Sequence, residues 1–127
     1  MLNALSAASL HTIPLRVLIV DDDRDDYYLT SQLLSDAELP NIQVQWEATY
    51  AGALNQMLCE PFDIVLIDYR LGEQTGAELL RSAHELGFVT PAILLTGTGS
   101  PEIDREAEAS GAASFIPKQD LTASLLD

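Results

Sequence analysis

The sequence predicts a single α/β domain, a three-layer α/β/α sandwich around a five-stranded parallel sheet. Three observations carry this. Five short apolar runs alternate with segments of helical spacing, the pattern of repeated strand–helix units joined by right-handed crossovers. The central runs are apolar at successive positions, as strands covered on both faces are. A length of 127 residues fits one core that buries roughly two-thirds of the surface of the unfolded chain.

Residues 1–15 read as a leader outside the core. Met1 to Leu10 is mildly apolar, but it lacks a basic start and is too short and too often polar to span a membrane. Arg16 to Val20 is the first strand, rich in β-branched residues and bounded by Pro14, and it delivers Asp21, Asp22 and Asp23 to its carboxyl end. Leu29, Leu33 and Leu34 mark the helix that follows, which closes before Pro40. Asp25 and Asp26 fall in its first turn, where acids favour the helix dipole, and both are assigned that role. Asp23 reads as an acidic helix-start residue.

Ile42, Val44 and Trp46 alternate with Gln43, Gln45 and Glu47, as on an edge strand with one wet face. Tyr50 to Glu60 is a helix with Ala51, Leu54 and Leu58 on its apolar stripe. Ile64 to Ile67 is the central strand and ends at Asp68. A loop with Gly72 and Gly76 leads into a helix from about Thr75 to Leu86, capped by Gly87. Ala92 to Leu95 is the fourth strand and runs into Thr96. The helix from Pro101 to Ser110 offers only Ile103 and Ala107 as a spaced apolar pair, so it is expected to be weakly anchored and able to move. Ala113 to Ile116 is the last strand, followed by Pro117 and Lys118.

A net charge of −14 argues against direct contact with nucleic acid or an anionic membrane, and favours small cations or basic partner patches. The single cysteine, Cys59, permits no internal disulfide and suits the cytoplasm.

In a parallel sheet all carboxyl ends face one way, and ligands bind there. Asp21, Asp22, Asp68, Thr96 and Lys118 therefore converge. Carboxylates ~5 Å apart repel by about 3 kcal/mol per pair at an effective dielectric near 20, so they call for a cation, a raised pKa or solvent. An all-oxygen site without His or Cys suits Mg²⁺, with Mn²⁺ as a substitute. A lysine and a hydroxyl beside it suit a group with three anionic oxygens, and the chemistry implied is phosphoryl transfer to a carboxylate.

These motifs, Val17-Leu18-Ile19-Val20-Asp21-Asp22, Ile67-Asp68, Leu95-Thr96-Gly97 and Phe115-Ile116-Pro117-Lys118, resemble those of the receiver domain of two-component response regulators. The resemblance covers nearly all of residues 16–127. It implies a flavodoxin-like sheet of order 2-1-3-4-5 and a signalling domain rather than an enzyme. It also implies Asp68 as phosphoacceptor from a histidine kinase or phosphotransfer protein, and Mg²⁺ on Asp22, Asp21, Asp68 and the Arg70 main-chain carbonyl. Thr96 and Lys118 would hold the phosphoryl oxygens, and Phe115 would be the aromatic switch that reorients with Thr96. The fourth helix, fifth strand and fifth helix would then act on a partner, a homodimer or a fused output domain.

The pattern is not followed everywhere. Gln119 stands where many receivers have a cis-proline, so Lys118–Gln119 is expected to be trans. Arg70 and Thr98, which flank access of water to the acyl phosphate, are poor bases, and a long-lived phosphoryl group is expected. Leu121, Leu125 and Leu126 mark a short last helix, read as cut from a longer chain or shortened in itself. The loops resemble those of receivers fused to sensor kinases or cyclic-dinucleotide enzymes. Two other functions compete: a receiver-like interaction module that is never phosphorylated, and an aspartate-nucleophile phosphatase, which Arg70 disfavours because that chemistry places an acid there. A nucleotide-binding protein is the weakest reading, for want of a phosphate-binding glycine loop.

Overall fold

The strongest determinant of the architecture is a pair of apolar strands with no exposed position between them. In the computed structural model, which describes residues 14–36, 41–96, 105–106 and 109–117, these are β1 (Leu15–Val20) and β3 (Ile64–Asp68). Val17, Leu18, Ile19, Val20, Val65, Leu66 and Ile67 are all buried. Each such side chain contributes roughly 1.5–3 kcal/mol of transfer free energy when taken fully from water. β1 and β3 pair in parallel, and β2 (Ile42–Glu47) adds to the outer side of β1. β4 (Ala92–Thr96) lies on the other side of β3, and β5 (Ser114–Pro117) beyond it. The order is therefore β2-β1-β3-β4-β5, all parallel, the order that the family resemblance implies.

Side chains alternate across the sheet and define two cores. One gathers Leu18, Val20, Val65, Ile67 and Leu94 with Ala53, Met57, Leu79, Leu80 and Ala83 of two helices. The other gathers Val17, Ile19, Leu66, Leu95 and Ile116 with Leu34. The helices are α1 (Arg24–Asp36), α2 (Tyr50–Cys59) and α3 (Gly76–Glu85). Helical turns also occur at Arg105, Glu106 and Ala109, and Gly111, with φ +89°, ends that segment. Among the described residues no helix is long and apolar enough to cross a membrane.

Helix ends follow local chemistry. Asp23 Oδ1 accepts from the Asp25 and Asp26 amides at 2.8 and 3.4 Å and so caps α1. Thr49 caps α2 and Thr75 caps α3, each through its hydroxyl. At the far end of α3 the Gly87 amide donates to His84 O and the Phe88 amide to Ala83 O, with Gly87 at φ +99°. This is the paired closure that a left-handed residue after a helix permits.

Two helix faces differ from the sequence reading. On α1 the buried residues are Thr30 and Leu34, while Leu29 is 61 % exposed. The inward stripe runs through residues 26, 30 and 34, with Leu34 buried in the second core and Tyr27 and Leu33 partly buried against it on either side. On α2 the buried residues are Ala53 and Met57; Ala51 and Leu58 face outward. Tyr50 and Leu54 sit partly buried beside that pair. The leucine spacing finds part of each inward face, Leu33 and Leu34 on α1 and Leu54 on α2, but misses Thr30, Ala53 and Met57, which fill the tightest contacts. On the edge strand, Gln43 is exposed, but Gln45 and Glu47 are half-buried, so its wet face is narrower than the alternation suggests. The loop after β3 holds an unexpected two-residue ribbon, Arg70–Leu71 paired antiparallel with Gln74–Thr75. The leader to residue 13, Ile103, Ala107, Lys118 and everything after it lie outside the described residues.

Candidate functional site

The carboxyl ends of β1, β3 and β4 bring three buried polar residues to one edge. Asp21 follows β1 and is 1 % exposed, Asp68 ends β3 and is 7 % exposed, and Thr96 ends β4 and is 1 % exposed. Carboxylate oxygens of Asp21, Asp68 and Asp26 all lie within 4.8 Å of one another. Three carboxylates so placed, two of them buried, form a hard oxygen-donor set, and their mutual repulsion favours a small divalent cation between them.

Asp26 is the member that sequence reasoning missed. It occupies the first turn of α1 as anticipated, but on the inward side. The signal was present: residue 26 precedes buried Thr30 and Leu34 by one and two turns. Assigning Asp26 to the helix dipole left its face unread, and Leu29, Leu33 and Leu34 together do not single out the stripe that carries it.

Asp22 is placed differently from its neighbours. It is exposed, stands outside that three-carboxylate group, and its Oδ2 accepts from the Gly72 amide at 2.8 Å. Gly72 adopts φ +61° in the turn of the two-stranded ribbon, so Asp22 pins the loop after β3 to the end of β1. Arg70 is exposed on that ribbon. Phe115 pairs with Leu94 within the sheet, but its side chain is not among those described, and Lys118 lies outside the described residues.

Backbone contacts hold the acids in place. The Asp21 amide donates to Glu47 O at 3.0 Å, and its Oδ1 accepts from the Asp23 amide at 3.0 Å. Its carbonyl accepts from the Trp46 indole N–H at 2.7 Å. Tyr27 stacks on Trp46 with ring centroids 4.6 Å apart and planes 6° from parallel. The chain's single tryptophan thus sits one hydrogen bond from the acidic group and reports on it. Beyond Asp68, the Tyr69 amide donates to Leu95 O at 2.9 Å and its carbonyl accepts from the Gly76 amide at 2.6 Å. Thr96 Oγ1 is buried with no hydrogen-bond partner among the described residues. A buried hydroxyl left so costs about 1–3 kcal/mol unless a ligand supplies an acceptor.

Tyr69 carries a resolved titration shift. Its hydroxyl donates to Glu106 Oε2. That bond, then burial, then the Glu106 charge push its pKa up to about 12. The fold therefore favours the neutral phenol. The stability this contributes is complete below about pH 10, the ordinary tyrosine value, and is lost as pH rises through about 12. Following tyrosinate absorbance against pH should show Tyr69 ionising well above the ordinary tyrosine value. Glu106→Gln should bring its midpoint down toward that value, and an unmoved midpoint would remove Glu106 as the cause.

A sheet of this order with acids at the ends of its first and third strands and a hydroxyl at the end of its fourth defines a class, and the comparisons with known proteins agree. The model of the response regulator receiver domain matches residues 17–127; the chain belongs to that family, which is one of signalling domains. It is 33% identical over 115 residues to the C4-dicarboxylate transport transcriptional regulatory protein DctD of Pseudomonas aeruginosa, covering 88% of this chain and 24% of that protein. It is 29% identical over 105 residues to the response regulator protein PmrA of the same organism, covering 82% of this chain and 46% of that protein. The chain thus spans less than half the length of these relatives. A CheY-like receiver domain protein from Methanospirillum hungatei superposes with a TM-score of 0.71 at 31% identity, over 88% of this chain and 90% of that one.

Proposed function

We propose that the domain is a phosphorylation-controlled switch in which Asp68 accepts a phosphoryl group from a histidine kinase or phosphotransfer protein. The observation that carries this reading is the acidic group itself: a nearly buried Asp68 within 4.8 Å of Asp21 and Asp26, on a strand beside a buried hydroxyl with no hydrogen-bond partner among the described residues.

In the transfer, an Asp68 carboxylate oxygen attacks phosphorus, and the bond from phosphorus to the donor's nitrogen or oxygen breaks. Its electron pair leaves with the donor. Asp21, Asp26 and Asp68 fit Mg²⁺, or Mn²⁺ in its place, as hard oxygen ligands. Asp22 and the Arg70 carbonyl remain in the set that the family resemblance implies. When bound, the cation neutralises negative charge on the phosphoryl oxygens. Thr96 would donate its hydroxyl proton to one of those oxygens and Lys118 would pair with another, while Phe115 would follow Thr96 as a switch. The absence of a good base at Arg70 and Thr98 supports slow loss of the group.

The acidic balance and single cysteine support a cytoplasmic setting. The short coverage of DctD and PmrA supports an output domain elsewhere in the parent protein, with a homodimer as another way to transmit the switch.

The test is intact mass after incubation with acetyl phosphate and Mg²⁺. Wild type should gain one phosphoryl group and Asp68→Asn none; a wild type that gains nothing would leave an interaction module that is never phosphorylated. Thr96→Val gives a companion result. Removing a buried hydroxyl that has no partner among the described residues should raise stability in chelator by about 1 kcal/mol, read as a higher urea midpoint, while phosphoryl uptake slows. A variant less stable than wild type would mean that the hydroxyl is already bonded.

A further inference from the structure

Glu106 joins three elements with one carboxylate. Oε2 accepts from the Tyr69 hydroxyl, and Oε1 accepts from Arg81 Nη2 at 3.3 Å. Tyr69 directly follows Asp68, Arg81 lies on α3, and Glu106 lies in the helical segment after β4. Tyr69 is a fixed post. Its main chain is bonded to Leu95 on one side and Gly76 on the other, and its ring is partly buried against the core. Glu106 lies beyond Thr96 along the chain, in the helical turn described at Arg105–Glu106. The ion pair alone is half-exposed, with side chains 50 % and 33 % accessible, and such pairs contribute little. The phenol–carboxylate bond is charge-assisted and is the stronger member.

We propose that Tyr69, Glu106 and Arg81 form a clasp that ties the helical turn at Arg105–Glu106 to the end of β3 and to α3, and that opening the clasp eases the rearrangement which accompanies phosphorylation of Asp68. The regulatory half of this proposal rests on Asp68 being the phosphoacceptor. The clasp connects the residue beside the acceptor to the segment beyond Thr96, so it opposes movement at the point where the site would drive it. No feature outside the site shows as much: the outward apolar residues Leu86 and Val89 have nothing to indicate what would cover them.

The experiment is hydrogen exchange, read by mass spectrometry on the whole chain in chelator, for wild type, Tyr69→Phe, Glu106→Gln and Arg81→Ala. Tyr69→Phe keeps the ring and removes only the hydroxyl. Amides around Arg105 to Ser110 should exchange about tenfold faster in Tyr69→Phe and Glu106→Gln, and less so in Arg81→Ala, with β1 and β3 unchanged. Exchange at the wild-type rate in both would overturn the clasp. In Mg²⁺ and acetyl phosphate the same two variants should take up the phosphoryl group several-fold faster than wild type. Equal rates, with wild type active, would overturn the regulatory role alone. No uptake by wild type would instead defeat the reading of Asp68 and the regulation with it, while the exchange result would still decide whether the clasp exists.

Discussion

Gly76→Ala should lower the unfolding free energy by about 3 kcal/mol, against the gain of up to about 1 kcal/mol that helix propensity alone would give. Gly76 opens α3 at the point where the helix touches the sheet. A Cβ there would lie 2.4 Å from the Asp68 carbonyl oxygen, 2.6 Å from Ile67 Cγ2 and 3.0 Å from Leu94 Cδ2. The nearest of these is backbone in a paired strand, and the next two are fully buried side chains. None can turn aside, so α3 or the end of β3 must shift. The same shift would move Asp68 away from Asp21 and Asp26, so the variant should lose cation affinity as well as stability. Urea unfolding measures the first. A variant as stable as wild type would show that the helix start is not wedged against the sheet.

Asp26→Asn separates two roles for one side chain. As a helix-start acid, Asp26 would contribute about 0.3–1 kcal/mol through the dipole, and the variant would lose that amount whether or not a cation is present. As a member of the acidic group it repels Asp21 and Asp68 by about 3 kcal/mol per pair before solvent screening. Replacing it should then leave stability in chelator undiminished and weaken Mg²⁺ binding about tenfold. Trp46 supplies the readout, since its indole N–H is bonded to Asp21 O. A Mg²⁺ titration followed by tryptophan emission, repeated at several urea concentrations, would give both quantities. Unchanged affinity together with a small loss of stability would return Asp26 to the dipole role.

The strands were legible because burial on both faces leaves little room for polar residues. Val17 to Val20 and Val65 to Ile67 could hardly be read otherwise, and the acids that end them mark the site. The helices were legible as elements and only partly in their orientation, since Leu34 and Leu54 face the core but Leu29 and Leu58 do not. Which face of an amphipathic helix turns inward depends on close fit against the sheet, and there Thr30, Ala53 and Met57 serve where leucines were expected. Asp26 was lost by that error, since a carboxylate on the inward face of α1 looks like any other first-turn acid until the face is known. The bond from Asp22 to Gly72 and the clasp at Glu106 join residues 50 and 37 positions apart respectively. Such pairings have no periodic signature, so only the folded chain brings them into view.

The central claim is that Asp68, and no neighbouring acid, carries the phosphoryl group. It is tested most directly by treating the protein with acetyl phosphate and Mg²⁺, reducing the acyl phosphate with borohydride, and mapping the product by peptide mass spectrometry. Homoserine at position 68, with Asp21, Asp22 and Asp26 unaltered, is the predicted result; reduction at any of those three, or at no aspartate, would contradict it.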